Sequence, residues 1–369
     1  MRHPEDELSG LQQASLLRQV PEVDTSLINF ASNDYLGLAQ HPHIKQVYQE
    51  AVEKYGAGST ASRLICGSMA PHTELENTLA QAKGTEAALS FATGYSTSVG
   101  VITALLGKGD TVILDKLCHA SLIDGARMSG ATLRVFPHNH LDKLESLLVS
   151  TASKVAPDSR TLVITESIFS MDGDSAPLRE IGTLCQKHDS LLMVDEAHGL
   201  GVLGPTGMGL AEELGIQGLI DFHMGTLGKA AGVAGGYLAA SQPWIDLIIN
   251  RARSFIYSTA PPPAQAAAAT AAIRIIRGEE GHVLRNTLWA NIRLLKKDAQ
   301  SAIIPWIIGD NKTAMDKAQE LRAAGFLVPA IRYPTVPRNT ARLRITVSAA
   351  HSSEHITRLA SLLASVGLV

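Results

Sequence analysis

The chain has 369 residues, of which 32 are lysine or arginine and 35 are aspartate or glutamate, giving a formal net charge of -3. This length suffices for a large core and favours two domains. The near-neutral charge, without a basic run, gives no sign of a nucleic-acid partner. The three cysteines are far apart and predict neither a disulfide framework nor a zinc site, so we expect a reducing, cytoplasmic location.

Membrane segments are not predicted either. The N-terminus is polar and lacks the apolar region of a signal peptide. No run of about 18 apolar residues lacks a charge or a proline. The alanine-rich residues 264–272 come nearest, but they follow three prolines and run into Arg274, which is typical of a soluble helix.

The first 36 residues are polar and weakly patterned, and we interpret them as an N-terminal arm. Within this arm, residues 11–20 are predicted to form an amphipathic helix. Two further helices are predicted at residues 43–55 and 71–83, on either side of a hydroxyl-rich loop that ends at Arg63.

Short apolar segments then alternate with helical ones. We predict strands at residues 87–91, 111–115, 132–136, 162–165, 191–194, 222–226 and 237–240, and helices at residues 96–106, 120–128, 141–150 and 178–188. This alternation predicts an α/β fold with a mostly parallel sheet covered on both faces. Ligands of such sheets bind at the carboxyl ends of the strands. That rule selects Gly94, Ser170, Asp195, His198 and Thr226.

The pattern changes after residue 262. Helices are predicted at residues 264–277, 281–304, 315–324 and 353–366, and strand-like segments at residues 303–308, 326–328 and 343–347. We therefore expect an arm over residues 1–36, a large α/β domain over residues 37–262 and a small α+β domain over residues 263–369.

Lys229 stands in a run of glycine and alanine between two predicted strands. Long, strongly hydrated side chains are rarely placed there for packing. The stretch fits a desolvated lysine that forms a Schiff base, and it fits a surface lysine in a glycine hairpin equally well.

Other strand-end residues have a functional and an ordinary interpretation. Asp195 at the end of a buried strand needs a partner, such as a protonated ring nitrogen, and His198 follows three residues later; alternatively, the pair caps a turn and binds backbone. Gly94 and Tyr95 form an anion site at a helix N-terminus or an ordinary turn. His119 stacks on a flat cofactor or simply begins a helix. Together with the hydroxyl of Ser170, these parts are the ones that pyridoxal 5'-phosphate (PLP) requires.

These motifs resemble the α-oxoamine synthases, a branch of the fold-type I PLP-dependent transferases. The resemblance covers nearly the whole chain from Ile28 onward. It rests on residues 32–37 (SNDYLG), 94–95 (GY), 119–122 (HASL), 170–174 (SMDGD), 194–199 (VDEAHG), 226–229 (TLGK), 256–259 (IYST) and 341–344 (ARLR).

The resemblance implies roles for these residues. Lys229 would hold PLP as a Schiff base and act as the base, Asp195 would pair with the pyridine nitrogen, and His119 would stack on the ring. His198 and Ser170 would bind the phenolic oxygen. The phosphate would lie on Gly94, Tyr95 and Thr226, with Ser258 and Thr259 supplied by a second subunit of a homodimer. The substrate-binding residues would be Arg18, Asn33, Thr335 and Arg344.

Within that family, residues 330–337 (AIRYPTVP) resemble the members that serve biotin biosynthesis. These condense L-alanine with a pimeloyl thioester, carried by CoA or by an acyl carrier protein, with loss of carbon dioxide and the free thiol. The alternatives are a sister synthase that uses glycine with acetyl-CoA or serine with a long acyl chain, an aminotransferase or lyase, and a binding protein without catalysis. Two departures from the family are a short N-terminus and residues 59–62 (STAS) in place of a doubled glycine.

Overall fold

The computed structural model describes residues 3–13, 16–18, 20, 22–153 and 158–365. Its strands, numbered β1 to β12 in chain order, are Ile28–Asn29, Ala87–Phe91, Thr111–Asp115, Thr132–Phe136, Thr161–Glu166, Leu191–Asp195, Phe222–Thr226, Gly236–Ala240, Ile303–Gly309, Phe326–Leu327, Ala330–Ile331 and Ala341–Thr346. Its α-helices, α1 to α14, are Pro4–Gln13, Pro42–Tyr55, Ala70–Lys83, Gly94–Leu105, Ala120–Ser129, Leu141–Ala152, Leu178–Lys187, Leu210–Leu214, Gln242–Arg251, Arg253–Ile256, Pro263–Arg277, Glu279–Leu295, Asn311–Ala323 and Ser353–Ser365.

The largest sheet has seven strands in the order β2-β8-β7-β6-β5-β3-β4. Strand β8 runs antiparallel to both neighbours, β2 and β7. The other pairs are parallel, and β6, between β7 and β5, is the central strand. The prediction of a mostly parallel sheet is therefore confirmed.

The central strands explain why this sheet is buried on both sides. They are continuous runs rich in valine, isoleucine and leucine, and successive side chains point to opposite faces. In β5, Val163 joins one hydrophobic cluster while Leu162 and Ile164 join the other. All three are fully buried. The parallel arrangement places the carboxyl ends of β5, β6 and β7 along one edge of the sheet.

Two smaller sheets lie outside this one. Strands β11, β12 and β9 form an antiparallel sheet. The arm strand β1 pairs in parallel with β10, and the amide of Thr346 donates to the carbonyl of Phe30 at 2.8 Å. The N-terminal segment is thus joined to the C-terminal part of the chain. Helix α11 packs against α2 and α3, and α12 packs against α14. The domain boundaries at residues 36 and 262 stay a prediction.

The structure corrects two predicted helices. In the arm, the helix is α1 at residues 4–13, and residues 16–18 and 20 lie outside it, whereas residues 14, 15 and 19 fall outside the described part. The helix predicted at 281–304 ends at Leu295. Its last two residues, 303 and 304, instead begin β9, which confirms the strand predicted at residues 303–308 and pairs with β12. The sequence interpretation also missed α8, α9 and α10, and the final residue predicted for α14, Val366, is outside the described residues.

Within the described ranges, no helix combines the length and the apolar character that a bilayer crossing requires.

Candidate active site

A cavity of about 190 Å³ opens at the carboxyl edge of the seven-stranded sheet. It lies at the ends of β5, β6 and β7 and at the N-terminus of α4. Its wall is formed by Gly94, Tyr95, His119, Ser121, Glu166, Asp195, Ala197, His198, Met224, Thr226 and Lys229. Seven of the residues selected from the sequence therefore lie around one cavity, although they are spread over more than a third of the chain.

Lys229 is held in the connection between β7 and β8. Three residues later the backbone at Gly232 has φ 67°, and a Cβ there would lie 2.3 Å from the amide nitrogen of Ala39, so this turn requires glycine. The half-buried Nζ of Lys229 lies 2.7 Å from Nε2 of His198. Burial lowers the pKa of Lys229 to about 8, against the opposing effect of the Asp195 and Glu166 carboxylates. The amine is therefore unusually easy to deprotonate.

A hydrogen-bond chain leads from Lys229 into the protein. Nδ1 of His198 lies 2.5 Å from the hydroxyl of Tyr35, which donates to Oδ1 of Asn33 at 3.3 Å. The same oxygen accepts from both terminal nitrogens of Arg344, each at 3.2 Å. Burial, together with the charges of Lys229 and Arg344, lowers the pKa of His198 well below its ordinary value, so its imidazole is neutral.

Arg344 lies on β12 and is only 5% exposed. Its Nε donates to the carbonyl of Ser170 at 2.7 Å, and one terminal nitrogen donates to Oγ1 of Thr346 at 2.9 Å. Arg342 on the same strand pairs with Asp172 at 2.7 Å, whereas Arg344 forms no salt bridge with any residue that the structure describes. A buried guanidinium bound only to neutral acceptors suits a carboxylate ligand.

The loop of residues 168–175 is fixed from both sides. On the side of the small sheet, the Gly173 carbonyl accepts from Ser301 at 2.7 Å. On the side of the large sheet, His138 bridges Asp115 at 3.0 Å and Asp174 at 2.8 Å. Although burial opposes protonation, the hydrogen bonds to the two carboxylates raise the pKa of His138 to about 10. Ser170 in this loop is buried and contributes its carbonyl to Arg344, but it is not in the cavity wall.

Two carboxyl groups stand side by side at the ends of β5 and β6. Asp195 and Glu166 are register partners, and both are buried. Asp195 accepts the amide of Ala197 at 2.9 Å, and Glu166 accepts the amide of His119 at 2.5 Å. Burial first, and the neighbouring charge of Asp195 second, raise the pKa of Glu166 to about 8. The sequence analysis missed Glu166, although it ends its strand just as Asp195 ends the next.

The N-terminus of α4 offers backbone donors to the cavity. Thr93 caps this helix by accepting from the amide of Ser96 at 3.0 Å. The amides of Gly94 and Tyr95, at the first two helical positions, have no partner within the helix. Thr226 lies beside them, since a Cβ on Gly94 would be 3.4 Å from its Cβ. Donors at the positive end of a helix are suited to a phosphate group.

His119, also in the cavity wall, caps helix α5. Its Nδ1 accepts from the amide of Ser121 at 3.3 Å and lies 2.9 Å from the hydroxyl of the same residue. Burial is the main cause that lowers the pKa of His119. The neutral ring is thereby held in one orientation at the cavity.

Besides Ser170, Asn33 and Arg344, four of the sequence-selected residues lie outside the cavity wall. Ser258 and Thr259 follow α10 and are not in the cavity wall; Thr259 forms an isolated β-bridge with Ser62. Arg18 donates to Oγ1 of Thr335 at 3.4 Å, so these two are next to each other but outside the wall.

Comparison with protein families agrees with this geometry. The family model described as aminotransferase class I and II matches residues 25–363. The chain therefore belongs to the aminotransferase class I and II family.

Curated relatives give a narrower relationship. The 8-amino-7-oxononanoate synthase of Geobacter sulfurreducens is 44% identical over 98% of this chain and 93% of its own. The enzyme of the same name from Methylobacterium sp. is 45% identical over 98% of this chain and 95% of its own. Within the family, the chain groups with the 8-amino-7-oxononanoate synthases.

Solved structures agree on the fold. The serine palmitoyltransferase of Sphingomonas wittichii superposes with a TM-score of 0.90 at 31% identity, covering 99% of this chain and 96% of that chain. Serine palmitoyltransferase structures that contain PLP reach the same TM-score of 0.90.

The enzyme uses PLP, and the residues around the cavity fit that cofactor. The amine of Lys229 matches its aldehyde, and the carboxylate of Asp195 matches its ring nitrogen. The helix N-terminus at Gly94 matches its phosphate. These three groups have the chemistry that PLP requires and lie around one cavity.

The lowered pKa of Lys229 can be measured in the cofactor-free protein. Because burial penalises the ammonium form, we expect reductive methylation of Lys229 to rise with a midpoint near pH 8, against 10.5 for an ordinary lysine. Peptide mapping after labelling at a series of pH values gives the midpoint, with N-acetyl-lysine in the same tube as the reference. Equal midpoints for the two amines would contradict the prediction.

Proposed function

We propose that this protein catalyses the decarboxylative condensation of L-alanine with a pimeloyl thioester. The products are 8-amino-7-oxononanoate, carbon dioxide and the free thiol, as a step of biotin biosynthesis. The observation that carries this proposal is the hydrogen-bond chain that joins Lys229 to Arg344. It links an amine that can move a proton to a guanidinium that can hold a carboxylate. The two relatives named above support the choice of reaction.

We assign each residue of the site a separate role in this reaction. PLP, when bound, withdraws electrons from the α-carbon of the amino acid and makes its proton acidic. Arg344 would bind the α-carboxylate with its two terminal nitrogens. Lys229, with a pKa of about 8, would accept the α-proton at Nζ and return a proton before product release. Asp195 would keep a proton on the ring nitrogen, because a nearby negative charge favours the protonated form.

The remaining residues would hold and orient the ligands. His119 would stack on the ring of PLP, and Ser170 and His198 would lie at its phenolic oxygen. Gly94, Tyr95 and Thr226 would bind the phosphate with backbone and hydroxyl donors. On the acyl side we assign Arg18 and Thr335, which already contact each other at 3.4 Å. Asn33 would orient Arg344 through the shared oxygen described above.

We further propose a homodimer whose active sites lie at the interface. Ser258 and Thr259 would reach the phosphate of the partner subunit. Hydrophobic side chains around them support this assignment, because Tyr257 is 70% exposed and Ile65 is 79% exposed in the single chain. Large apolar groups so open to water are typical of a protein interface.

The acyl donor in this proposal is pimeloyl-CoA or a pimeloyl-acyl carrier protein. We place the enzyme in the cytoplasm.

The reaction is tested with a panel of substrates. We expect product with the mass of 8-amino-7-oxononanoate, and an equal amount of carbon dioxide, only from L-alanine with pimeloyl-CoA or its carrier-protein equivalent. The panel includes glycine with acetyl-CoA and L-serine with palmitoyl-CoA. Turnover with one of those pairs instead would assign the protein to a sister synthase, and amino-group transfer without any thioester would make it an aminotransferase.

The Asp195→Asn variant distinguishes a role of Asp195 in proton removal from a role in binding PLP. The amide keeps the shape but loses the negative charge, so we expect the exchange of the α-proton of L-alanine in D2O to fall on the order of a thousandfold. Binding of PLP, followed by its visible absorbance, should change much less. NMR of alanine with both proteins saturated with PLP gives the rates. Exchange at the normal rate in this variant would show that Asp195 does not face the ring nitrogen.

Mixed dimers test the shared site. We expect Lys229→Ala and a Ser258→Ala/Thr259→Ala chain each to be nearly inactive alone at limiting PLP. Mixing them during refolding or co-expression should restore about a quarter of the normal activity, because half of the dimers then hold one intact site. Each variant mixed with itself is the control. A mixture as inactive as its components would mean that Ser258 and Thr259 serve their own chain.

A further inference from the structure

Tyr35 stands in the middle of the hydrogen-bond chain, and nothing in the reaction as described above uses it. We propose that Tyr35 is a positioning residue that fixes the imidazole of His198 and the amide of Asn33 relative to each other. Through these two residues it sets the distance between the base Lys229 and the carboxylate receptor Arg344. The expected effect on catalysis rests on the proposed function. The positioning of His198 and Asn33 by Tyr35 does not depend on that function.

The burial of Tyr35 makes its hydroxyl contacts specific. The side chain is 0% exposed, so water cannot replace a missing partner. The hydroxyl has two protein partners, Nδ1 of His198 at 2.5 Å and Oδ1 of Asn33 at 3.3 Å. These partners belong to different regions of the fold, since His198 follows β6 and Asn33 follows β1. Tyr35 is therefore a link between the sheet edge and the N-terminal segment.

The number of protons on the tyrosine hydroxyl bears on which group donates in each hydrogen bond. A tyrosine hydroxyl has one proton, and in the bond to Asn33 that proton is used. In the arrangement that we propose, the imidazole N–H at Nδ1 of His198 donates to the tyrosine oxygen across the 2.5 Å contact. This leaves Nε2 of His198 without a proton and facing the amine of Lys229 at 2.7 Å. Tyr35 thus selects the tautomer of His198 that accepts from Lys229.

The other end of this hydrogen-bond chain, at Asn33 and Arg344, affects substrate binding. Oδ1 of Asn33 accepts from Tyr35 and from both terminal nitrogens of Arg344. Without the tyrosine hydroxyl, Oδ1 of Asn33 keeps only its bonds to Arg344, and the amide is no longer linked to His198. A displacement on the order of 1 Å in such a positioning shell can cost about a hundredfold in rate.

Tyr237 on β8 provides a matched control elsewhere in the protein. This tyrosine is also 0% exposed, and within the described residues its hydroxyl has no hydrogen-bond partner. It is not in the cavity wall. Tyr237→Phe therefore removes a buried hydroxyl without removing a link, whereas Tyr35→Phe removes the link and keeps the ring.

The first measurement does not depend on any reaction. In the full-length cofactor-free protein, labelled with 15N-histidine, we expect the ring nitrogens of His198 to report the Nδ1–H tautomer in the wild type and in Tyr237→Phe. In Tyr35→Phe we expect a shift towards the Nε2–H tautomer. His198→Asn assigns the signals. An unchanged His198 tautomer in Tyr35→Phe overturns the proposal.

The second measurement uses the PLP-loaded enzyme and L-alanine in D2O. At saturating PLP, we expect α-proton exchange in Tyr35→Phe to be roughly tenfold to a hundredfold slower, with weaker binding of L-alanine. Tyr237→Phe should match the wild type. Combining Tyr35→Phe with Arg344→Lys should slow exchange by less than the product of the two single effects, because both act in one chain.

The outcomes separate the two proposals. Normal exchange in Tyr35→Phe, or equal losses in both tyrosine variants with equally lowered melting temperatures, overturns the role of Tyr35. If the wild type itself exchanges no α-proton of L-alanine, the proposed function fails. The comparison is then made with the amino acid that does exchange, and the tautomer measurement still decides the role of Tyr35.

Discussion

The site depends on keeping two basic side chains out of water at one edge of the sheet. Removing a charge from water is expensive unless it is compensated, and the chain compensates the two in different ways. Lys229 has carboxyl groups nearby, at Asp195 and Glu166, but burial still favours its neutral form. Arg344 stays charged and is held by neutral oxygens alone. One cation is thereby made ready to give up a proton, and the other is left able to accept an anion.

The fold supplies this arrangement by bringing distant segments to a single edge. The ends of β5, β6 and β7 provide the carboxyl groups and the lysine segment, while the arm and β12 provide Tyr35, Asn33 and Arg344. The loop of residues 168–175 joins these two groups, because it is bound to His138 on one side and to Arg342 and Ser301 on the other. The relative position of the base and the receptor is therefore determined by tertiary contacts and not by one local motif.

The sequence was most informative where a local pattern is enough. The bounds of β2, β3, β4 and β7 agree with the predicted segments, because each is a short apolar run with clear breaks. The rule that ligands bind at strand ends brought together Gly94, Asp195, His198 and Thr226, all of which line the cavity. It could also have identified Glu166, had the last residue of that strand been given the same weight as Asp195.

The wrong or incomplete predictions concern features that depend on more than a local sequence pattern. The sequence predicts residues 303 and 304 both as the end of a helix and as the start of a strand, and it is pairing with β12, about 40 residues later, that decides for the strand. The link through Tyr35 could not be predicted, because it needs the orientation of a side chain that sequence patterns do not give. Ser258 and Thr259 show a third limit: they lie outside the cavity wall of the single chain, and the role proposed for them requires a second subunit.

The bond between Asn33 and Arg344 also has a consequence for the order in which the molecule matures. These residues are 311 positions apart, and β12 lies close to the end of the chain. During synthesis the lysine segment and the strand ends around it emerge well before the arginine does. The nascent chain thus acquires its cofactor-binding half first and its amino-acid receptor almost last. An incomplete chain that stops before β12 therefore lacks the guanidinium that would hold an amino acid.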